Sequence, residues 1–139
     1  MLVLDTHVWI WATQGDARQI GRRTRQRLAR AGAEDAIRVS VVTMFELTAL
    51  HTLGRLRLTL PPEQWITMAL AAGGVRTAEV SAAIAVDAGR ISREALADPL
   101  DRLLVATARQ FDATFVTGDV RILAYAASNS GVRTLDASR

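Results

Sequence analysis

The sequence predicts an α/β domain: a mostly parallel β-sheet covered by helices on both faces. Three observations carry this reading. Five short aliphatic runs with strand character recur along the chain, segments with helical start signals separate them, and no repeat, low-complexity tract or linker interrupts the alternation. At 139 residues the chain is one domain's worth, expected to span 1–139, with half of its residues hydrophobic and 22% charged. That is the composition of a packed core and not of a disordered segment.

The elements follow in order. LVL at 2–4 is the first strand, with Asp5 directly after it as a candidate N-cap for a helix beginning near His7. QIGRRTRQRLARAG places Ile20, Thr24, Leu28 and Ala31 on one helical stripe, and Arg22, Arg23, Arg25, Arg27 and Arg30 elsewhere on the surface. An amphipathic surface helix with a solvated arginine face accounts for this segment, and phosphate contact by some of these arginines stays open. IRVSV at 37–41 is the second strand, Pro61-Pro62 opens the helix EQWITMALAA, and VRTAEV at 75–80 is the third strand. Ser81 caps AAIAVDAGR, and Asp98-Pro99 starts LDRLLVATARQF with proline at its first helical position. TFVT at 114–117, the helix VRILAYAA and VRTL at 132–135 complete the pattern.

Composition excludes several chemistries. There are no cysteines and only two histidines, so thiolate catalysis, disulfides and a histidine-rich metal site are ruled out, and any metal would be held by oxygen. No basic leader precedes an apolar run and no stretch approaches 18 apolar residues, so a cytoplasmic protein without membrane contact is expected. The formal charge is +3, with all 17 basic residues arginine. Such a balance is compatible with a polyanionic partner and common in proteins that bind none.

The acids are more informative. Asp5 follows the first strand, Glu46 comes shortly after the second, Asp98 and Asp101 open a helix, and Asp119 follows the fourth strand. In open parallel sheets, ligands bind beyond the carboxyl ends of the strands, so the predicted fold brings these acids together. Like charges in one pocket raise one another's pKa, and a cluster of this kind calls for a cation. Oxygen-only donors suit Mg²⁺ or Mn²⁺. Each acid also has a structural explanation: Thr43 to Glu46 has the spacing of a capping box, Asp98 is an N-cap with Asp101 in the first helical turn, and Asp119 can cap the helix behind it.

The same stretches carry a family resemblance. LDTHVWIWA, VSVVTMFELTAL, ADPLDRLLVATA and FVTGDVRIL resemble, in order, the motifs of PIN-domain proteins of the VapC toxin type, over residues 2 to about 124. The resemblance implies a three-layer α/β/α sandwich and a Mg²⁺-dependent (or Mn²⁺-dependent) endoribonuclease, the toxic half of a toxin–antitoxin pair. RNA as substrate, a cognate antitoxin as partner and a homodimer are expected with it. The family's acidic quartet falls on Asp5, Glu46, Asp101 and Asp119, leaving Asp98 as a cap or outer ligand. Thr6, Ser40 and Thr117 are expected to hydrogen-bond a carboxylate or a bound water, and Arg102 to pair with a site carboxylate or phosphate or to form a surface salt bridge. His7 and His51 read as structural, and Trp9, Trp11, Phe45 and Leu50 as core or interface.

Rival α/β enzymes fit poorly. A receiver domain needs a lysine, nucleotide-binding folds need GxGxxG or GxxxxGK[ST], and a haloacid dehalogenase-type phosphohydrolase needs an aspartate where His7 stands. A non-catalytic RNA- or protein-binding member of the same fold is the remaining alternative.

Overall fold

The computed structural model describes residues 1–16, 18–128 and 131–139. Its strands are β1 (Leu2–Leu4), β2 (Ile37–Ser40), β3 (Val75–Ala78), β4 (Thr114–Thr117) and β5 (Arg133–Asp136). The helices are α1 (Thr6–Gln14), α2 (Arg22–Ala33), α3 (Val41–Thr52), α4 (Pro62–Ala71), α5 (Ala82–Arg90), α6 (Pro99–Gln110) and α7 (Val120–Ala127). All strand pairs are parallel, in the order β3-β2-β1-β4-β5. The chain steps outward from β1 through β2 to β3, then returns to lay β4 on the other side of β1. The sheet therefore changes direction between β1 and β4.

Alternation along the strands builds two cores. Leu2, Leu4, Ile37, Val39 and Val116 face one way and pack with Val8, Trp9 and Ile10 of α1, Ala31 of α2, Leu47 of α3, and Trp65 and Ala69 of α4. Trp9 and Trp65 meet edge to face at 5.0 Å. Val3 and Phe115 face the other way, onto Leu104, Val105 and Ala108 of α6 and Ile122 of α7, while α5 packs on α6 through Ile84, Ala88 and Ala106. Helices on both faces give the three-layer sandwich. Each fully buried aliphatic side chain contributes about 1.5–3 kcal/mol, so the three buried residues of β1 anchor a short strand firmly.

The helix stripe of α2 falls as expected: Ile20, Thr24 and Ala31 are buried, and Arg22, Arg23, Arg25, Arg27 and Arg30 are exposed. Its start is pinned to the chain end, with Gly21 N–H donating to Ala137 O at 2.8 Å and Thr24 Oγ1 to Asp136 O at 2.9 Å. Gly21 approaches the Arg139 backbone so closely that a Cβ would lie 2.0 Å from its carbonyl oxygen.

The second strand differs from expectation. β2 ends at Ser40, and Val41 already belongs to α3, because the Ser40 hydroxyl accepts the Val42 N–H at 3.0 Å and caps the helix there. A β-branched run thus enters a helix with no loop between. Thr43 then lies inside the first turn, so the capping box with Glu46 does not form. The third strand stops at Ala78 and the fifth begins at Arg133. Among the described residues, no helix is long and apolar enough to cross a membrane.

Candidate active site

Each strand that ends at the β1/β4 crevice hands its chain to a helix through an acid. Asp5 caps α1, its Oδ1 accepting the Thr6 N–H at 2.8 Å. Asp119 caps α7, its Oδ1 accepting the Arg121 N–H at 2.8 Å. Asp98 caps α6 through the Leu100 N–H at 2.9 Å, with Pro99 at the first helical position. Three helix N-termini therefore converge on one place, and their positive ends favour anions there. Capping and site membership are not alternatives for these residues, because each cap occupies only one carboxylate oxygen and the carboxylates of Asp5, Asp98 and Asp119 still line the same cavity.

The place is a cavity of about 350 Å³ lined by Asp5, His7, Trp11, Glu46, Asp98, Asp101, Gly118, Asp119 and Arg121. All four acids of the expected quartet line it, together with Asp98. Glu46 reaches it from α3, far in sequence from the other cavity acids but carried there by the loopless β2–α3 junction. Asp101, one turn into α6, is only 9% exposed.

The threonines hold the acids in place. Thr117 Oγ1 donates to Asp5 Oδ2 at 2.6 Å and accepts the Asp119 N–H at 3.0 Å, joining the ends of β1 and β4 through one hydroxyl. The buried Thr6 hydroxyl donates to Thr43 Oγ1 at 3.2 Å. Two expected helpers are placed otherwise. Ser40 spends its hydroxyl on the α3 cap, since the chain needs a partner for the Val42 N–H at that junction. Arg102 reaches back to the Ala97 carbonyl at 3.4 Å and does not line the cavity, because its position on α6 turns it away from Asp101. His7 lies on the cavity wall with its ring 5.9 Å from Trp11. His51 lies in the last turn of α3, and Trp9 is core while Phe45 is 63% exposed.

Two lining residues lie outside the sequence expectation: Trp11, expected as core or interface, and Arg121, whose place two residues after a capping aspartate is the signal the sequence carries for it. Arg121 forks onto Asp119, with Nε 3.3 Å from Oδ1 and Nη2 3.0 Å from Oδ2.

Electrostatics separates the acids. Burial raises the pKa of Asp5, and the Thr117 and Thr6 hydrogen bonds draw it partly back. Glu46 is raised by burial and by repulsion from Asp5 and Asp98, against the Thr6 hydrogen bond. Asp101 is pushed up to about 7, first by burial and then by Asp98, Asp5, Asp119 and Glu46 around it. The Arg121 hydrogen bonds hold Asp119 below the usual carboxylate range. Among the described residues, no three His, Asp or Glu groups are drawn together tightly enough to hold an ion as they stand. The five carboxylates line the wall of one cavity. The donors are all hard oxygens, with neither sulfur nor a histidine pair among them, which fits Mg²⁺ or Mn²⁺.

Known proteins share the sequence and the fold of this chain. The chain is 29% identical over 121 residues to Ribonuclease VapC22 of Mycobacterium tuberculosis, covering 87% of this chain and 88% of that protein. Its fold resembles VapBC2 from Rickettsia felis bound to a promoter DNA fragment, with a TM-score of 0.70 at 14% identity and 97% coverage of both chains. It also resembles FitAcB from Neisseria gonorrhoeae, with a TM-score of 0.66 at 21% identity, covering 98% of this chain and 97% of the other. The PIN domain model matches residues 2–128, nearly the whole chain with every acid of the cavity inside it, and the protein belongs to the PIN domain family.

Proposed function

We propose that this protein is a divalent-metal-dependent endoribonuclease, the toxin of a toxin–antitoxin pair, neutralised by a cognate antitoxin protein. The observation that carries the reading is the crowding of Asp5, Glu46, Asp98, Asp101 and Asp119 around one cavity at the β1/β4 switch point. The similarity to a protein named as a ribonuclease, and to toxin chains of VapBC complexes, supports it.

Asp5, Glu46, Asp101 and Asp119 would hold Mg²⁺ or Mn²⁺, with Asp98 beside them. When bound, the ion supplies the Lewis acidity that activates a water and stabilises the leaving oxygen of a phosphodiester. The chain's own residues do the rest. Thr117 fixes the Asp5 carboxylate, so this donor is oriented before a cation arrives. Asp101 retains a proton near neutral pH and must release it to become a donor, so cation uptake is coupled to proton release and favoured as pH rises past about 7. Phe45 and Leu53, 63% and 66% exposed, are apolar surface of the kind that a second copy or an antitoxin covers, and a homodimer acting in the cytoplasm is part of the proposal.

Cleavage of single-stranded RNA by the purified protein in Mn²⁺ tests the reading. It should vanish in excess EDTA and in Asp5→Asn; undiminished cleavage in EDTA overturns it. Tight RNA binding with no cleavage in either metal would make the protein a binding module of the same fold.

A further inference from the structure

Among the described residues, the cavity lining contains five carboxylates and one arginine. A phosphodiester entering such a cavity meets strong repulsion, and a divalent ion offsets only part of it. Arg121 is the cation already present at the wall. We propose that Arg121 is a ligand of the substrate phosphate, held in reserve on Asp119 and transferred to the RNA backbone when a divalent ion takes that carboxylate. The inference rests on the metal-dependent ribonuclease reading and adds to it a substrate-binding residue and its exchange between two anions.

Three features of the geometry support it. First, Asp119 cannot serve the guanidinium and a divalent ion equally. Its Oδ1 already accepts the Arg121 N–H and Nε, and its Oδ2 accepts Nη2, so a cation at this carboxylate meets a guanidinium about one hydrogen bond away and repels it. Second, the side chain is free to move while its backbone is not. The Arg121 side chain is 76% exposed, so its ion pair with Asp119 is of the weak, solvent-screened kind. Its N–H, in contrast, is tied to the Asp119 cap, which keeps the Cα at the first turn of α7 on the cavity rim. Third, the fork that matches the Asp119 carboxylate also matches two oxygens of a phosphodiester, so the exchange replaces one bidentate partner with another.

The experiment measures two affinities in wild type, Arg121→Ala and Arg121→Lys. Mn²⁺ uptake is followed by calorimetry, and binding of a fluorescein-labelled, phosphorothioate-linked single-stranded RNA by anisotropy in saturating Mn²⁺. The α7 cap uses the backbone N–H of residue 121, so both variants should fold, as circular dichroism will report. Arg121→Ala should bind Mn²⁺ about threefold or more tightly, through loss of a competing cation, and RNA about tenfold more weakly, with the salt dependence reduced by about one phosphate contact. Arg121→Lys should keep the salt dependence and recover only part of the RNA affinity, because an ammonium lacks the fork. Tighter Mn²⁺ binding with unchanged RNA affinity would make Arg121 a local ion-pair partner and overturn the proposal, as would no change in either. Wild-type protein that takes up no Mn²⁺ would overturn the metal-site reading and this inference with it, whereas normal uptake with RNA affinity unaltered by both variants removes the inference alone.

Discussion

The two ends of the sheet use aspartate in opposite ways. At the amino end, Asp35 and Asp112 stand before β2 and β4 in matching Asp-Ala turns. Each adopts a positive φ, 57° and 48°, and ends a helix in a Schellman arrangement, with Ala36 N–H donating to Ala31 O and Ala113 N–H to Ala108 O. Each also has an arginine from the neighbouring outer strand: Arg76 pairs with Asp35, and Arg133 with Asp112 at 2.9 Å. Asp35 is accordingly held below its ordinary pKa by the Arg76 hydrogen bond. At the carboxyl end, among the described residues, five acids share one cavity with a single arginine, and Asp101 is pushed up to about 7. Among those residues Asp101, 9% exposed, forms none of the ion pairs in a chain of 17 arginines, and such a charge has a use other than stability.

The largest expected effect separates the ends outright. Asp101→Asn should lower RNA cleavage on the order of 100-fold or more, the scale of losing a metal donor, as measured by initial rates at saturating Mn²⁺. Retention of near wild-type rates would place the cavity's chemistry elsewhere.

Stability should move the other way. Because the folded Asp101 keeps its proton to about pH 7 while the unfolded chain loses it near 4, the folded state binds more protons between those values and its stability falls as pH rises through that window. In metal-free protein the loss between pH 5 and pH 8 should be about 2 kcal/mol. That is somewhat below what ~1.4 kcal/mol per pKa unit gives over the roughly two units between pH 5 and pH 7, since the cavity opens to water. Urea melts of Asp101→Asn should show a flatter pH dependence and greater stability at pH 8, and Mn²⁺ should restore the wild type there. A wild type equally stable at both pH values would show that the cluster is not under electrostatic load.

Asp98→Asn sharpens the contrast within the cavity. Asparagine caps a helix as well as aspartate, so α6 should be kept while one charge is removed, and cleavage should fall less than about tenfold. A loss matching that of Asp101→Asn would make Asp98 the direct donor. The smallest effect belongs to the other end: Asp112→Gly trades an exposed ion pair for an unstrained left-handed residue, so stability should stay within about 1 kcal/mol and cleavage should be unchanged. Altered cleavage in that variant would couple the two ends through the sheet.

Much of this was legible before folding. Strand and helix identities followed from short β-branched runs and from caps such as Ser81, Asp98-Pro99 and Asp119, because these signals act within a few residues. The junction at Ser40 departs from the sequence expectation because Val41 and Val42 have strand propensity, and only the cap hydrogen bond and packing against the sheet override it. Ser40 and Arg102 were given site roles from proximity in sequence, yet the direction of a side chain depends on the helix that carries it. Trp11 and Arg121 were passed over for the converse reason: their place at the cavity depends on α1 and α7 starting from adjacent strands.

Residue types and spacing, acting locally, were enough to specify an α/β chain that supplies oxygen donors after its strands and has neither thiols nor lysines. Which acids share a cavity, that their caps and their site roles coexist, and that Arg121 stands alone among them were decided by the strand order β3-β2-β1-β4-β5. That order sets β1 beside β4 and brings Asp5 within a hydroxyl's reach of Thr117, 112 residues away. Long-range pairing of this kind has no local signal, because it depends on burying both faces of the sheet at once.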